Sequence, residues 1–235
     1  MYRLNDANRA VGEMFSSIAP RYDLLNRLLS LGIDRRWRRE AVSALGVGRG
    51  GRHLDVATGT ADVALEILRQ KGRDARVVGS DLSLGMMRVG REKAGRRGAA
   101  ARLDFVAAPA ESLPFRDGSF DSASVAFGIR NVSDRARGLA EMARVVRPGG
   151  RVVVLEFSMP RGSLFGRIYR FYFHRILPRL AGLLSRRSAY EYLPASVDSF
   201  PEPGEFASRL RQAGCSRVLV RPLTFGVVTL YVGER

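Results

Sequence analysis

Apolar positions near the start of the chain recur with a helical period. Val11, Met14, Phe15 and Ile18 stand three or four apart, and Leu24, Leu25, Leu28 and Leu29 resume the spacing after Pro20. Proline lacks an N–H and its ring crowds the preceding turn, so the pattern predicts two short helices divided at Pro20. From Arg52 onward the period changes. Short valine-rich runs alternate with helical segments, predicting strands at 52–56, 77–81, 103–106, 121–126, 151–157, 216–221 and 226–232, and helices at 60–70, 84–96, 134–146 and 202–213. Such alternation builds a mostly parallel sheet covered on both faces, and the uninterrupted apolar run Val152–Leu155 suits its centre. Only Pro222 to Phe225 separate the last two strands, too few residues for a right-handed crossover, so an antiparallel hairpin is expected there.

Residues 158–200 do not fit this rhythm. Between Ser163 and Leu180, rings and aliphatic side chains mix with arginines about a turn apart, a basic amphipathic pattern. Two readings stay open: a helix packing its rings on the sheet and showing arginine to water, or a lid over an apolar pocket that touches a membrane surface through 161–187. At 235 residues and 46% hydrophobic, the chain makes one domain. Its expected parts are an N-terminal helical cover (1–50), a core (51–157), the insertion (158–200), and a C-terminal helix with hairpin (201–235).

The net charge of +16 points first to a polyanionic partner. Lysine occurs only at Lys71 and Lys93, however, and an arginine excess beside abundant alanine and glycine is what GC-rich coding produces without such a partner. No nucleic acid is implied. The lone Cys215 excludes an internal disulfide, and His53 with His174 leaves no cluster of metal-ligand spacing, so no metal is expected. No secretory signal core or spanning run is read, and a cytoplasmic location is expected, peripheral at the inner face of the membrane if the insertion touches lipid.

The stretch Leu54-Asp55-Val56-Ala57-Thr58-Gly59-Thr60-Ala61-Asp62 carries the candidate chemistry. A strand ends in a carboxylate, turns through small residues and enters a helix whose first N–H groups face the strand tip, which is a nucleotide cradle. One βα unit later Asp81 ends the next strand, placed to accept hydrogen bonds from ribose hydroxyls. A dinucleotide site wants glycine where Ala57 and Ala61 stand, and Asp55 would repel a pyrophosphate. S-adenosylmethionine, cationic and without phosphate, suits Asp55 better; a nicotinamide or flavin cofactor and a cofactor-free turn remain the alternatives.

Together these residues resemble the menaquinone and ubiquinone biosynthesis C-methyltransferases. The resemblance runs from Tyr22-Asp23, Asn26, Ser30, Gly32 and Trp37 through Leu54 to Thr60, then Ala110-Glu111 with Leu113-Pro114-Phe115. It continues through Phe127 to Val132 and Arg144 to Gly150, and ends at Leu155-Glu156-Phe157-Ser158. It implies a class I S-adenosylmethionine-dependent methyltransferase with a Rossmann-like seven-stranded sheet, N-terminal helices and a helical lid. The reaction implied is C-methylation of a polyprenyl quinol, demethylmenaquinol to menaquinol, with the 2-methoxy-6-polyprenyl-benzoquinol precursor of ubiquinone as the alternative. A nicotinamide-dependent oxidoreductase and a non-catalytic basic membrane or nucleic-acid binder are the readings from other classes. A homodimer is left open.

By that resemblance Asp55, Gly59 and Thr60 face the methionine end of the cofactor, Asp81 holds its ribose, and Ala110 and Glu111 border its adenine. Arg130 and Asn131, with Tyr22 and Asp23, belong to the catalytic pocket. A guanidinium holds its proton too tightly to act as a base, so Arg130 is expected to clamp a quinolate, the proton leaving to water or to Asp23. Structural alternatives are an Arg130–Asp134 surface pair, a turn-capping Glu111, an Asx cap at Asp23, a turn at Ser30-Leu31-Gly32, and a tight helix-to-strand turn at Pro148-Gly149-Gly150. Two positions depart from the family pattern: Pro109 offers no side chain or N–H to adenine, and Asp34 replaces a frequent histidine.

Overall fold

The computed structural model describes residues 6–46, 48, 50–160, 164–176 and 194–235. Two helices, α1 (Asp6–Leu29) and α2 (Asp34–Ser43), lead into alternating units: β1 (Gly51–Val56), α3 (Asp62–Lys71), β2 (Ala75–Asp81), α4 (Leu84–Arg96) and β3 (Leu103–Ala107). The second half adds β4 (Phe120–Ala126), α5 (Arg135–Val145), β5 (Val146–Phe157), α6 (Leu164–Phe171), α7 (Pro203–Gln212), β6 (Arg217–Leu223) and β7 (Val228–Glu234). The sheet order is β3-β2-β1-β4-β5-β7-β6, with β1 to β5 parallel and β7 antiparallel to both neighbours. The expected hairpin is therefore present. Strand order reverses between β1 and β4, which opens a crevice beyond their carboxyl ends.

Two apolar layers sandwich the sheet. One gathers Val42, Ile67, Val77 and Leu155 under α2 and α3, and the other gathers Leu54, Val125, Met142 and Phe206 under α5 and α7. Val152, Val153, Val154 and Leu155 are all buried, as a central strand with both faces covered requires. α1 lies along α4, with Ile18 and Ala19 closing on Met86.

Two local expectations are corrected. Pro20 does not divide the N-terminal helix: α1 runs through it, because Ile18 and Ala19 before the proline close on Met86 of α4 and Asp23 after it fastens to Lys93 of α4 and to Thr60. Asp23 therefore sits inside a helix and is no Asx cap. The expected tight turn at Pro148-Gly149-Gly150 is present as a bend enclosed in the head of β5, where pairing with β4 jumps from Phe120–Val146 to Ser122–Arg151. Arg235 N–H donates to Gly150 O at 3.0 Å and Gly149 N–H to Arg235 O at 2.7 Å, so the chain's end completes that strand head. Gly149 takes φ 75°, and a Cβ on Gly150 would lie 2.5 Å from the Asp121 carbonyl oxygen; both positions need glycine. The expected turn at Ser30-Leu31-Gly32 is present, with Leu31 and Gly32 both left-handed. Of the insertion, α6 and the π turn Tyr172–Ile176 are described; the part of the predicted lid at 177–193 lies outside the described residues.

Candidate active site

β1 delivers Asp55 to the strand tip and buries it. Thr58 Oγ1 donates to Asp55 Oδ2 at 2.7 Å and Ser124 Oγ to Oδ1 at 2.8 Å, so this carboxylate braces the loop that follows it. Burial pushes its pKa up to about 6, against those two hydrogen bonds and with help from the charge on Asp81. Asp81, at the tip of β2, receives Gly59 N–H and Ser83 N–H, each at 2.7 Å; burial raises its pKa too. Two carboxylates whose ionisation is disfavoured, side by side at one sheet edge, form a setting that a cation relieves.

The loop between β1 and α3 keeps the geometry of a glycine-rich turn without the glycines. Ala57 and Ala61 both adopt left-handed φ, 51° and 65°, as does Gly59 at 54°. Facing them, Phe127 leaves β4 at φ 58° with its N–H donating to Leu155 O at 2.8 Å. A Cβ on Gly128 would come within 2.6 Å of the Ala57 Cβ, so the two loops meet in direct contact.

A cleft runs along this edge. Its floor comes from Ala57, Gly59, Asp81, Ala110 and Glu111, its far wall from Phe127, Gly128, Asn131 and Val132, and its roof from Val11, Gly12, Phe15 and Tyr22 of α1. A second, smaller cavity adjoins it, sharing Tyr22, Gly59 and Phe127 and adding Arg38, Asp55, Thr60 and Asp62. Mainly apolar walls with a carboxylate at the rim suit a planar base and its sugar, and the smaller, charged cavity suits a zwitterion.

Eight of the ten predicted site residues line these two cavities; Asp23 reaches them only through Thr60, and Arg130 lines neither. Thr60 Oγ1 donates to Asp23 Oδ1 at 2.6 Å, and Lys93 Nζ pairs with Asp23 Oδ2 at 2.5 Å and Asp62 Oδ1 at 2.7 Å. Both Asp23 oxygens are thus committed, which argues against this carboxylate as the proton acceptor. Arg130 lies elsewhere. Its Nη1 donates to Glu156 Oε1 at 2.7 Å and Phe127 O at 2.5 Å, and its Nε to Ser196 Oγ at 3.3 Å. Asp134 instead caps α5, accepting Arg137 N–H at 2.9 Å, so the alternative Arg130–Asp134 pair is not formed. The guanidinium ties the 129–131 turn to the end of β5. Asn131, next to it, presents a buried Oδ1 without a hydrogen-bond partner among the described residues. Glu111 both borders the cleft and accepts Asp134 N–H at 3.4 Å. Pro109 does not line the cleft, whereas Ala108 and Ala110 do.

Sequence reading missed Arg38, Lys93 and Asp62. Arg38 bonds Asp34, reaches Asp62 at 3.4 Å and lies over the Phe127 ring. Burial works against its charge, but Asp62 and Asp34 outweigh this and raise its pKa. Burial likewise opposes the Asp62 carboxylate, and Arg38 with Lys93 outweighs it and lowers the pKa. The four-residue spacing of Asp34 and Arg38 was a visible signal of pairing on a helix. Lys93 carried only its rarity in an arginine-rich chain.

A sequence model of the ubiE/COQ5 methyltransferase family matches residues 1–235. The chain is 54% identical to the ubiquinone/menaquinone biosynthesis C-methyltransferase UbiE of Geobacter sulfurreducens, covering 100% of this chain and 92% of the relative. It is 48% identical to the demethylmenaquinone methyltransferase of Deinococcus radiodurans, over 98% and 94%. Among solved structures it resembles a SAM-dependent methyltransferase from Aquifex aeolicus, with a TM-score of 0.61 and 17% identity over 83% of this chain and 88% of that one.

Proposed function

The chain belongs to the ubiE/COQ5 methyltransferase family, is a methyltransferase that uses S-adenosylmethionine, and, we propose, methylates a ring carbon of a polyprenyl quinol, demethylmenaquinol becoming menaquinol. The cofactor supplies an electrophilic methyl group on a sulfonium. The observation that carries the reading is the cleft that runs from Asp81 to Asn131 at the point where strand order reverses.

In this reading Asp81 takes the ribose hydroxyls on the lone pairs that Gly59 and Ser83 leave open, and Ala110 and Glu111 border the adenine. Gly59 and Thr60 meet the methionine end, with Asp55 holding their loop from below and adding negative charge near the sulfonium. Methylating carbon requires an electron-rich ring, so the protein must orient a reduced quinol and favour its phenolate. The buried Asn131 Oδ1, without a partner among the described residues, is the atom we assign to accept the hydrogen bond of a quinol hydroxyl and so orient the ring, because a buried polar atom without a partner gains most from a ligand that supplies one. Tyr22, facing both cavities, closes the other side. Arg130 acts through Asn131 as a positioning residue, and the hydroxyl proton leaves to water.

No helix among the described residues is long and apolar enough to cross a membrane. A lipid quinol must then be collected from a bilayer surface, and α6 with the residues after it, within 161–187, is the element proposed to make that contact at the inner face.

The test is methyl transfer from labelled S-adenosylmethionine to a short-chain demethylmenaquinone, with and without reductant, beside a benzoquinone analogue. Labelled naphthoquinol product formed only under reduction is expected. Faster labelling of the benzoquinol would move the assignment to the ubiquinone precursor, and no labelling of either ring would remove the quinone substrate.

A further inference from the structure

The end of the sheet that carries the cleft also carries an exposed apolar surface. Val228 pairs with both Phe157 and Leu223, so the turn between β6 and β7 lies at the carboxyl end of β5. Trp37 Nε1 donates to Thr224 Oγ1 at 2.8 Å in that turn, while Trp37 N–H donates to Ile33 O at 3.2 Å, which brings the α1–α2 turn beside it. Ser158 Oγ donates to Gly226 O at 2.8 Å, and Pro160 lies against both Gly226 and Gly166 of α6. Three elements therefore meet at one rim.

What they show to solvent is apolar. Leu31 is 85% exposed and Phe225 81%, each at the tip of its turn; Ile168 and Phe171 are 61% and 62% exposed on α6, while Tyr169 of α6 and Phe173 of the following π turn pack inward. Both tip residues adopt left-handed backbone, φ 51° at Leu31 and 55° at Phe225, a conformation that glycine or asparagine takes at lower cost. A large hydrophobe there is unfavourable twice in water, through strain and through exposure. Arg35, Arg36, Arg167 and Arg170, all exposed, fringe the same surface.

We infer that this rim, with Leu31 and Phe225 as its inserting tips, docks on an anionic lipid bilayer. Apolar tips reach the acyl boundary, and the arginine fringe faces the anionic headgroups, the pairing of forces that holds peripheral proteins at an interface. The cleft then lies at the end of the sheet that faces the lipid. The inference deepens the proposed function and rests on it only for why the protein should visit a membrane.

The experiment is flotation of the full chain with phosphatidylcholine vesicles, with or without added phosphatidylglycerol, comparing wild type with the Leu31→Asn, Phe225→Asn double variant. Asparagine accommodates left-handed backbone, so the variant should keep or raise its melting temperature. Wild type should float with the anionic vesicles, more weakly at high salt. The variant should lose about tenfold in partitioning per tip, the scale of burying one large side chain. Its methylation of a short-chain quinol in detergent should stay at the wild-type rate, while methylation of a long-chain quinol embedded in vesicles falls. Wild type failing to float, or the folded variant floating equally well, overturns the docking surface. A concentration-dependent dimer lost in the variant, with no vesicle binding by either, overturns it in favour of a second copy as the occupant. Vesicle binding that the variant loses, with no quinol methylated by either protein, keeps the docking surface and removes the substrate reading.

Discussion

At the scale of single residues, the informative groups are carboxylates held where their charge is costly. Asp55 has a folded-state pKa of about 6 against an ordinary 3.8, with burial as the main cause. Between those values the folded protein holds a proton that the unfolded chain has lost, so Asp55's contribution to stability is greatest below pH 4 and falls as pH rises through 6. A cationic cofactor favours the ionised form. Affinity for S-adenosylmethionine should therefore rise by up to about tenfold per pH unit on approaching pH 6 from below, and binding should release a proton. Calorimetry in buffers of different ionisation enthalpy reads that proton directly, and Asp55→Asn should abolish the part of the dependence that Asp55 supplies. Lys93 makes a second case. Lys93→Met leaves Asp23 and Asp62 facing each other without the ammonium that joins them. We expect a loss of about 2 kcal/mol, less than for a fully buried pair because both carboxylates keep some solvent. The KM for S-adenosylmethionine should rise with kcat largely kept, since the contact touches the loop and not the reacting atoms. Asp55 and Asp81 were legible in the sequence because each ends a strand, and strand ends place ligands. The Lys93 network was not, because its members come from three helices whose packing no local pattern encodes.

At the scale of elements, most of the sheet was legible, since period and composition specify strands and helices to within a few residues. The errors fell where tertiary contacts overrode local preference. Pro20 is a helix breaker by its own chemistry, yet α1 passes through it. Pro20→Ala restores a donor for the Ser16 carbonyl and should stabilise the protein by about 1–3 kcal/mol in urea unfolding, proline being roughly that much worse than alanine inside a helix. The 129–131 turn shows the other kind of miss. Its motif was visible, but Glu156 lies 26 residues away and only the β4–β5 pairing brings it to Arg130. Arg130→Met should cost about 3–5 kcal/mol, because Glu156 stays behind as an uncompensated buried charge. Arg130→Lys cannot hold Glu156, Phe127 O and Ser196 in one fixed fork, so kcat should drop while the pH profile keeps its shape. A shifted profile would instead mean that Arg130 takes part in proton transfer.

At the scale of the whole molecule, the N-terminal helix roofs the crevice at the carboxyl ends of the strands. α1 supplies Val11, Gly12, Phe15 and Tyr22 to the roof of the cleft, Ser16 Oγ meets Ser83 Oγ at 2.8 Å, and Asp23 fastens to Thr60 and Lys93. We predict that a cofactor lying under that roof leaves past Phe15 and Tyr22, with α1 lifting from α4. The sheet, whose central strands are buried on both faces, has no reason to move with it. Amide hydrogen exchange should then separate the two: α1 exchanges well before β1, β4 and β5 in the free protein, and S-adenosylhomocysteine slows α1 more than it slows the sheet. Lys93→Met, by freeing one fastening, should accelerate both binding and release of S-adenosylhomocysteine in stopped-flow measurements, with release changing more than binding because the contact is made only in the closed state. Equal protection of helix and sheet, or a release rate that Lys93→Met leaves unchanged, would mean that the cofactor reaches the cleft by a path that does not involve α1. In that event the roof is a fixed wall, and cofactor and quinol alike enter by another side of the cleft.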